Sequence, residues 1–473
     1  MNYGLDCLMD KFAEMLLNLS AILSGPLLFL LVIVGLYLSF KLKGLQFRYL
    51  CYALKLLFKP QNKYSSIRAQ EVQGDIPAFQ SLMTALAGSI GVGNITGIAT
   101  AVAVGGLGSI FWMWVIALLG MATAYSETLL AVKYREMNQQ GAMAGGPMYT
   151  LANGLNAKRM AILFAFLGAF SSLGIGCMVQ SNSVAFAVSA LFPVPNWATG
   201  FSMAALTAVV ILGGISSIGR VAGVLVPFMA LTYLGMGLYV LITHYHALGG
   251  ALVQIVSSAF TGHAAAGGFM GASAGMALQM GIARGVFSNE AGLGSLAIAA
   301  AAAKTEHPAE QGLLAISGVF ISTFLVCTIT GLVLAVTQVL PLGLTGSHMA
   351  LTAFGSVLPA FRYMVFVGLI LFAFTTVLAW AYYGEKCCEY LLGLKWAHRY
   401  RWLFVLMIAL GAILKLDLVW GIADLANGFM IIPHLYSLVA LVHVVQQETQ
   451  HYLKDRFSMV AMSAPVHFHP RAL

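Results

Sequence analysis

The chain has 473 residues, of which 60% are hydrophobic and only 8% charged, with a formal net charge of +8. So few charges cannot solvate a soluble domain of this length, and 50 glycines suit helices packed closely in lipid. Composition therefore excludes a soluble enzyme and points to an all-α polytopic membrane protein.

Ahead of the first apolar run stand Asp6, Asp10 and Glu14 rather than a basic region, so no cleavable signal peptide is expected. Stretches near the roughly 20 residues that a membrane helix needs then recur at 21–40, 78–104, 109–134, 160–191, 197–215, 221–243, 269–303, 312–338, 361–384, 402–416 and 421–445. That is about 11 spans. A shorter run, 347–360, reads as an interfacial or re-entrant piece, and His244 and His246 as interfacial residues.

Lys and Arg divide sharply between alternate loops. One side takes Lys41, Lys43, Arg48, Lys55, Lys59, Lys63, Arg68, Lys133, Arg135, Lys158, Arg159, Arg220, Lys304, Lys386, Lys395, Arg399, Arg401, Lys454, Arg456 and Arg471, whereas the other takes only Lys11 and Lys415. The positive-inside rule puts the N-terminus outside and the C-terminus in the cytoplasm of a bacterial inner (plasma) membrane. The basic charge is thus a topology signal, not a nucleic-acid footprint.

Two long segments carry interruptions. In the second, Gly88, Gly91 and Gly93 fall within Thr84–Asn94, each weakening a helix by about 1 kcal/mol relative to Ala. In the seventh, Arg284, Ser288, Asn289 and Glu290 sit mid-span, where polar groups are tolerated only against protein or a water-filled cavity. Paired interruptions in corresponding halves mark a transporter's central site. The breaks are placed at 88–94 and 284–294, five helices apart, which implies two inverted five-helix repeats. The expected division is 1–77 for an outer stub, an extra helix and a basic cytoplasmic loop, 78–243 and 244–445 for the repeats, and 446–473 for a cytoplasmic tail. Glycines that merely permit tight packing, as in the GxxxG pattern Gly93–Gly97, are the structural rival.

Other chemistries fail. No P-loop or HExxH motif is present, and Gly271-Ala-Ser-Ala-Gly275 resembles a nucleophile elbow but lies on an apolar helix. Cys7, Cys51, Cys177, Cys327, Cys387 and Cys388 match neither a zinc site nor a disulfide framework.

Three stretches, Gly91-Val-Gly-Asn-Ile-Thr-Gly-Ile-Ala-Thr100 running on to Trp114, Gly120-Met-Ala-Thr-Ala-Tyr-Ser-Glu127, and Gly281-Ile-Ala-Arg-Gly-Val-Phe-Ser-Asn-Glu-Ala-Gly-Leu-Gly-Ser295, together with Gly145-Gly-Pro-Met-Tyr149, resemble the alanine or glycine:cation symporter family, the sodium:alanine symporters. The resemblance implies a LeuT-type fold of five plus five inverted helices after one extra helix, and import of alanine or glycine, or D-alanine, with Na+ as coupling ion and no other cofactor. It implies substrate contacts at Gly91, Gly93, Asn94, Gln180, Gln279, Ala283 and Trp380, and Na+ oxygens at Ala87, Ile90, Thr375 and Thr376. Cys177 departs from the polar residue expected there. Each assignment has a bland rival: Thr375 and Thr376 bonding their own helix carbonyls, Gln180 joining helices, and Trp380 facing lipid. Arg284 and Glu290 are expected to pair and hold the break, and Glu127, Asn289 and Asp424 to be gating or structural. An H+-coupled symporter, and a channel or sensor of transporter-like fold, remain alternatives, because Glu127, Glu290 and Asp424 can titrate.

Overall fold

The computed structural model describes residues 25–58, 73–261, 274–414 and 416–463, with residues 15 and 23; the side chains of 190, 416–424 and 457–463 are not among those described. The N-terminal stub, the motif residues 271–273, Lys415 and the Asp424 side chain therefore lie outside the described residues.

The described chain is almost wholly helical, as long apolar runs dictate; Pro227 and Pro433 are the prolines inside described helices. The helices are α1 (Gly25–Lys41), α2 (Leu50–Leu57), α3 (Ala78–Ser89), α4 (Thr96–Gly105), α5 (Gly108–Lys133), α6 (Lys158–Ser189), α7 (Asn196–Ile211), α8 (Gly214–Thr243) and α9 (Tyr245–Ser258). They continue with α10 (Ala274–Asn289), α11 (Ser295–Ala301), α12 (Pro308–Val336), α13 (Gly346–Gly355), α14 (Pro359–Leu392), α15 (Leu394–Gly411), α16 (Leu416–Ala440) and α17 (Val442–Ser463). Among the described residues, α5, α6, α8, α12 and α14 are long and apolar enough to cross a membrane; α16 and α17, bent by 58°, make a sixth candidate. The other apolar segments are shorter or interrupted.

Buried positions are filled mainly by Ala, Leu, Val and Ile, and lipid-sized side chains such as Phe166, Phe201, Leu231 and Trp402 point outward. α5 lies at the centre, buried along most of its length and packed on α10 and α12. α14 runs against α3, α6 and α15. Both α6 and α12 loosen into π turns, Ser172–Met178 and Phe320–Cys327. Such turns mark places where a helix ladder yields locally.

Two expected loops are helical. The outer loop 244–268 contains α9, docked on α5 through Trp112, whose indole N–H donates to the Ala259 carbonyl at 3.2 Å. The tail contains α17, held by Tyr125–Thr449 (2.7 Å), Tyr52–Tyr452 (3.0 Å) and Lys133–Glu448 (2.5 Å). Both were read as loops because neither carries a long apolar run. The 347–360 run forms α13, packed on α14 and α4.

One end of the bundle is closed by a short parallel bridge, β1 (Ile76–Pro77) on β4 (Ala303–Lys304). It ties the start of α3 to the chain leaving α11. A hairpin of β2 (Glu136–Met137) and β3 (Met143–Ala144) lies between α5 and α6.

Candidate functional site

The first interruption follows from one side chain. In a continuous helix the Gly91 N–H would bond the Ala87 carbonyl; it bonds Asn94 Oδ1 instead, at 3.0 Å. The Asn94 N–H turns to the Gly91 carbonyl at 3.1 Å rather than to Ile90. The carbonyls of Ala87 and Ile90 thereby leave the ladder. Thr376 Oγ1 on α14 lies 2.9 Å from the Ala87 carbonyl and equally far from its own Phe372 carbonyl, so the hydroxyl is shared between its own helix and the first break. Gly91 permits the approach: a Cβ there would stand 2.5 Å from Thr376 Oγ1. Thr375, one residue earlier, turns away to the Phe372 carbonyl and Met229 Sδ.

The second interruption starts at Glu290, later than the sequence suggested. α10 continues through Arg284, a good helix former, and the Glu290 N–H still bonds the Val286 carbonyl at 2.8 Å. Gln279 and Ala283, expected to present end-of-helix carbonyls, consequently sit inside an intact helix, and Gln279 is exposed. Glu290 adopts φ 54°, followed by Gly292 and Gly294 in the left-handed region. The Ala291 N–H bonds Asn289 Oδ1 at 3.0 Å, while Asn289 Nδ2 faces Thr323 Oγ1 at 3.4 Å.

Arg284 and Glu290 do not pair. Glu290 instead accepts from Trp380 Nε1 at 2.8 Å and Ser295 Oγ at 2.7 Å, while the Arg284 guanidinium lies over Phe287. Trp380 is thus neither lipid-facing nor loose in a pocket: it is buried, and its ring packs edge-on against Tyr383. Glu127 caps the same loop, accepting from the amides of Gly292 and Gly294, and is hydrogen-bonded with His434 Nε2.

Asn94 joins the two breaks. Its Nδ2 faces Ser288 Oγ (2.8 Å), Ser322 Oγ (3.0 Å) and Cys327 Sγ (3.3 Å), and its carbonyl accepts from Thr330 Oγ1 at 2.9 Å. The side chain is buried and engaged, a staple between interruptions rather than a free hand for ligand.

A cavity of about 380 Å³ opens beside this junction, on the α4 side. Its wall includes Gly93, Thr96, Gln180, Arg284, Phe287 and Thr345. Gln180 is almost wholly buried and its Oε1 has no hydrogen-bond partner among the described residues; its amide donates to the Ile175 carbonyl at 3.3 Å. Cys177 donates to the Leu173 carbonyl within α6. Of the expected substrate residues, the structure gathers Gly93 and Gln180 at the cavity, with Gly91 and Trp380 packed behind it.

At the opposite end Arg135 seals the bundle. Its guanidinium donates to the carbonyls of Gln73 (2.8 Å), ahead of β1, Ala301 (2.9 Å), at the end of α11, and Ala303 (2.7 Å), in β4. Asp75 accepts from the Met143 N–H at 3.0 Å, and burial pushes its carboxyl above the usual carboxylate range.

The description of the sodium:alanine symporter family matches residues 9–463, nearly the whole chain. The chain belongs to that family. It is 48% identical to the sodium/alanine symporter AgcS of Methanococcus maripaludis over 454 residues, covering 94% of this chain and 98% of that one. It is 35% identical to the probable sodium/glutamine symporter GlnT of Bacillus subtilis, covering 92% and 89%. Among solved structures it resembles MhsT in complex with L-phenylalanine, with TM-score 0.59 and 14% identity over 78% of this chain and 89% of that one. The last likeness speaks to fold alone. For a symporter of this family the arrangement is chemically apt, combining released carbonyls beside a hydroxyl and a helix N-terminus at a cavity. Ser322, Thr330 and His434 escaped the sequence reading, and Arg135 was read only as a topology charge. Only His434, an ionisable residue inside an apolar run, carried a signal that points to function by default.

Proposed function

We propose that this symporter imports a small neutral amino acid, alanine or glycine, with Na+ as coupling ion and by alternating access. In this reading the fold is the five-plus-five inverted repeat preceded by one helix, divided at 78 and 244, with eleven spans, an outer N-terminus and a cytoplasmic C-terminus. Na+, a hard cation that prefers oxygen ligands, would be held by the carbonyls of Ala87 and Ile90 and the hydroxyl of Thr376. The substrate carboxylate would lie at the start of α4, near Gly93 and Thr96, where the helix dipole is positive. Its ammonium group suits the unpartnered Gln180 Oε1.

The reading rests on one observation above the others: the Thr376 hydroxyl stands 2.9 Å from a carbonyl that the first break has released, and the same break supplies Val92 and Gly93 to the cavity wall. The curated relatives named as sodium/alanine and sodium/glutamine symporters support Na+ and an amino acid, and differ on which one. The test is uptake of labelled alanine and glycine into proteoliposomes under an imposed Na+ gradient. Accumulation above the external concentration, abolished when the Na+ gradient is collapsed, is expected. Accumulation that follows a proton gradient and ignores Na+ would replace the coupling ion, and equilibration without accumulation would make the protein a channel.

A further inference from the structure

Glu127 and His434 form a buried pair that the Na+ and substrate chemistry above does not use. The carboxylate on α5 and the imidazole on α16 are almost fully buried, and His434 Nε2 lies 2.7 Å from Glu127 Oε2. The same oxygen receives the amides of Gly292 and Gly294 at 3.3 and 3.2 Å. Two backbone donors and one imidazole nitrogen therefore converge on a single carboxyl oxygen. Glu127 Oε1 and His434 Nδ1 have no partner among the described residues. Gly294 lets the ring in, since a Cβ there would meet His434 Cγ at 3.2 Å and Pro147 Cγ at 2.5 Å.

The surroundings offer no other counter-charge. Across the loop stands a second buried carboxylate, Glu290, bonded to Trp380 and Ser295 and within electrostatic reach of Glu127. Tyr383 on α14 feels both carboxylates. From α6 the ring faces Phe164; Lys158 and Arg159 are exposed at that helix's start, and Cys177 is bonded within it. From α17, Glu448 is paired with Lys133 at the surface. His434 is therefore the one basic side chain in contact with either buried carboxylate among the described residues.

We propose that Glu127 and His434 form a proton-binding site tied to the shape of the second break. With His434 neutral the pair carries one negative charge, offset here by the two loop amides. Those amides belong to the loop leading into α11, whose far end is clamped by Arg135 in the closed face. When that face opens and α11 moves, Glu127 loses the amides, and an uncompensated buried charge costs several kcal/mol. A proton taken up by His434 then supplies the missing positive charge, and closing the face expels it. Acid conditions accordingly hold carriers in the opened state and slow their return.

This inference rests on the alternating-access reading. The experiment is Na+-driven alanine uptake into proteoliposomes from pH 5.5 to 8.0, in wild type, His434→Gln and Glu290→Gln. Gln at 434 keeps a donor toward Glu127 and cannot titrate. Wild-type uptake should fall severalfold toward pH 5.5, His434→Gln should flatten that fall, and Glu290→Gln should leave it in place. A wild-type pH profile in His434→Gln, or flattening by Glu290→Gln alone, overturns the proton site while leaving symport intact; absence of Na+-driven uptake in wild type overturns the symport reading instead. A measurement that needs no variant at 434 is labelling of Ser81→Cys, buried between α3 and α11, normalised to the exposed Gln140→Cys. Labelling severalfold faster at pH 5.5 than at 7.5 is expected, and equal normalised rates refute the link between proton and opening.

Discussion

Thr375 and Thr376 are adjacent in sequence and differ in their partners, because neighbours on a helix point about 100° apart. Sequence alone made them equal candidates; the bundle turns one to the released Ala87 carbonyl and the other to Met229. Thr376→Ala should raise the Na+ concentration for half-maximal uptake about tenfold, equivalent to roughly 1.4 kcal/mol, whereas Thr375→Ala should change it less than twofold. Equal effects would place both hydroxyls at the cation. Trp380, a substrate contact by the resemblance, donates its indole N–H to buried Glu290. A hydrogen bond to a charged group contributes about 1.5–3 kcal/mol. Trp380→Phe should therefore lower thermal stability in detergent by several degrees with substrate preference unaltered, a result read from melting curves and competition of labelled alanine uptake. A broadened inhibitor profile at unchanged stability would return Trp380 to the pocket wall.

The closed face depends on elements too short for any periodic pattern to announce. A two-residue bridge has no alternation to read, and Arg135 looked like one more basic residue of a cytoplasmic loop. The interruptions were legible, since glycine runs and polar residues stand out in apolar spans; the start of the second was misplaced because Arg284 is itself compatible with helix. Arg135 owes its effect to a planar fork that reaches three carbonyls at once, which the point charge of lysine cannot imitate. Arg135→Lys should loosen β1 from β4, raising labelling of Ser81→Cys at least severalfold and lowering Na+-driven uptake. Unchanged labelling would mean the bridge holds without the arginine. Asp75 sits in the same seal, and its carboxyl is raised by burial above 3.8, its ordinary value. The folded protein then binds that proton more readily than the unfolded chain, so the contribution is most favourable below 3.8 and is lost as pH rises through the raised value. Asp75→Asn, which keeps an acceptor for the Met143 amide and carries no charge, should match wild-type stability near pH 4 and exceed it at pH 7, as followed by thermal unfolding. The opposite ordering would show that the ionised carboxylate is what the seal requires.

At the scale of the whole molecule, the cavity is lined by α4 and Thr345, and the Arg135 contacts lie at the other end of α3. Nothing in the fold says which end faces the cytoplasm, but the charges do. Most of the chain's 24 Lys and Arg fall on the loops that include Arg135, and anchoring such loops inside is the general rule for membrane proteins. On that rule the cavity end is predicted to be external, which labelling at two positions tests. Thr345 is exposed and lines the cavity, whereas Gln140 is exposed beyond the seal, in the turn joining β2 and β3. With Cys7 and Cys51 replaced by serine, the remaining four cysteines are buried and leave a quiet background for thiol labelling. Thr345→Cys should react with a membrane-impermeant maleimide added to intact cells, and saturating alanine should slow that reaction. Gln140→Cys should react only after permeabilisation, at a rate that substrate does not alter. Reaction of Gln140→Cys in intact cells, with Thr345→Cys silent, would invert the molecule in the membrane and make the open cavity the release side.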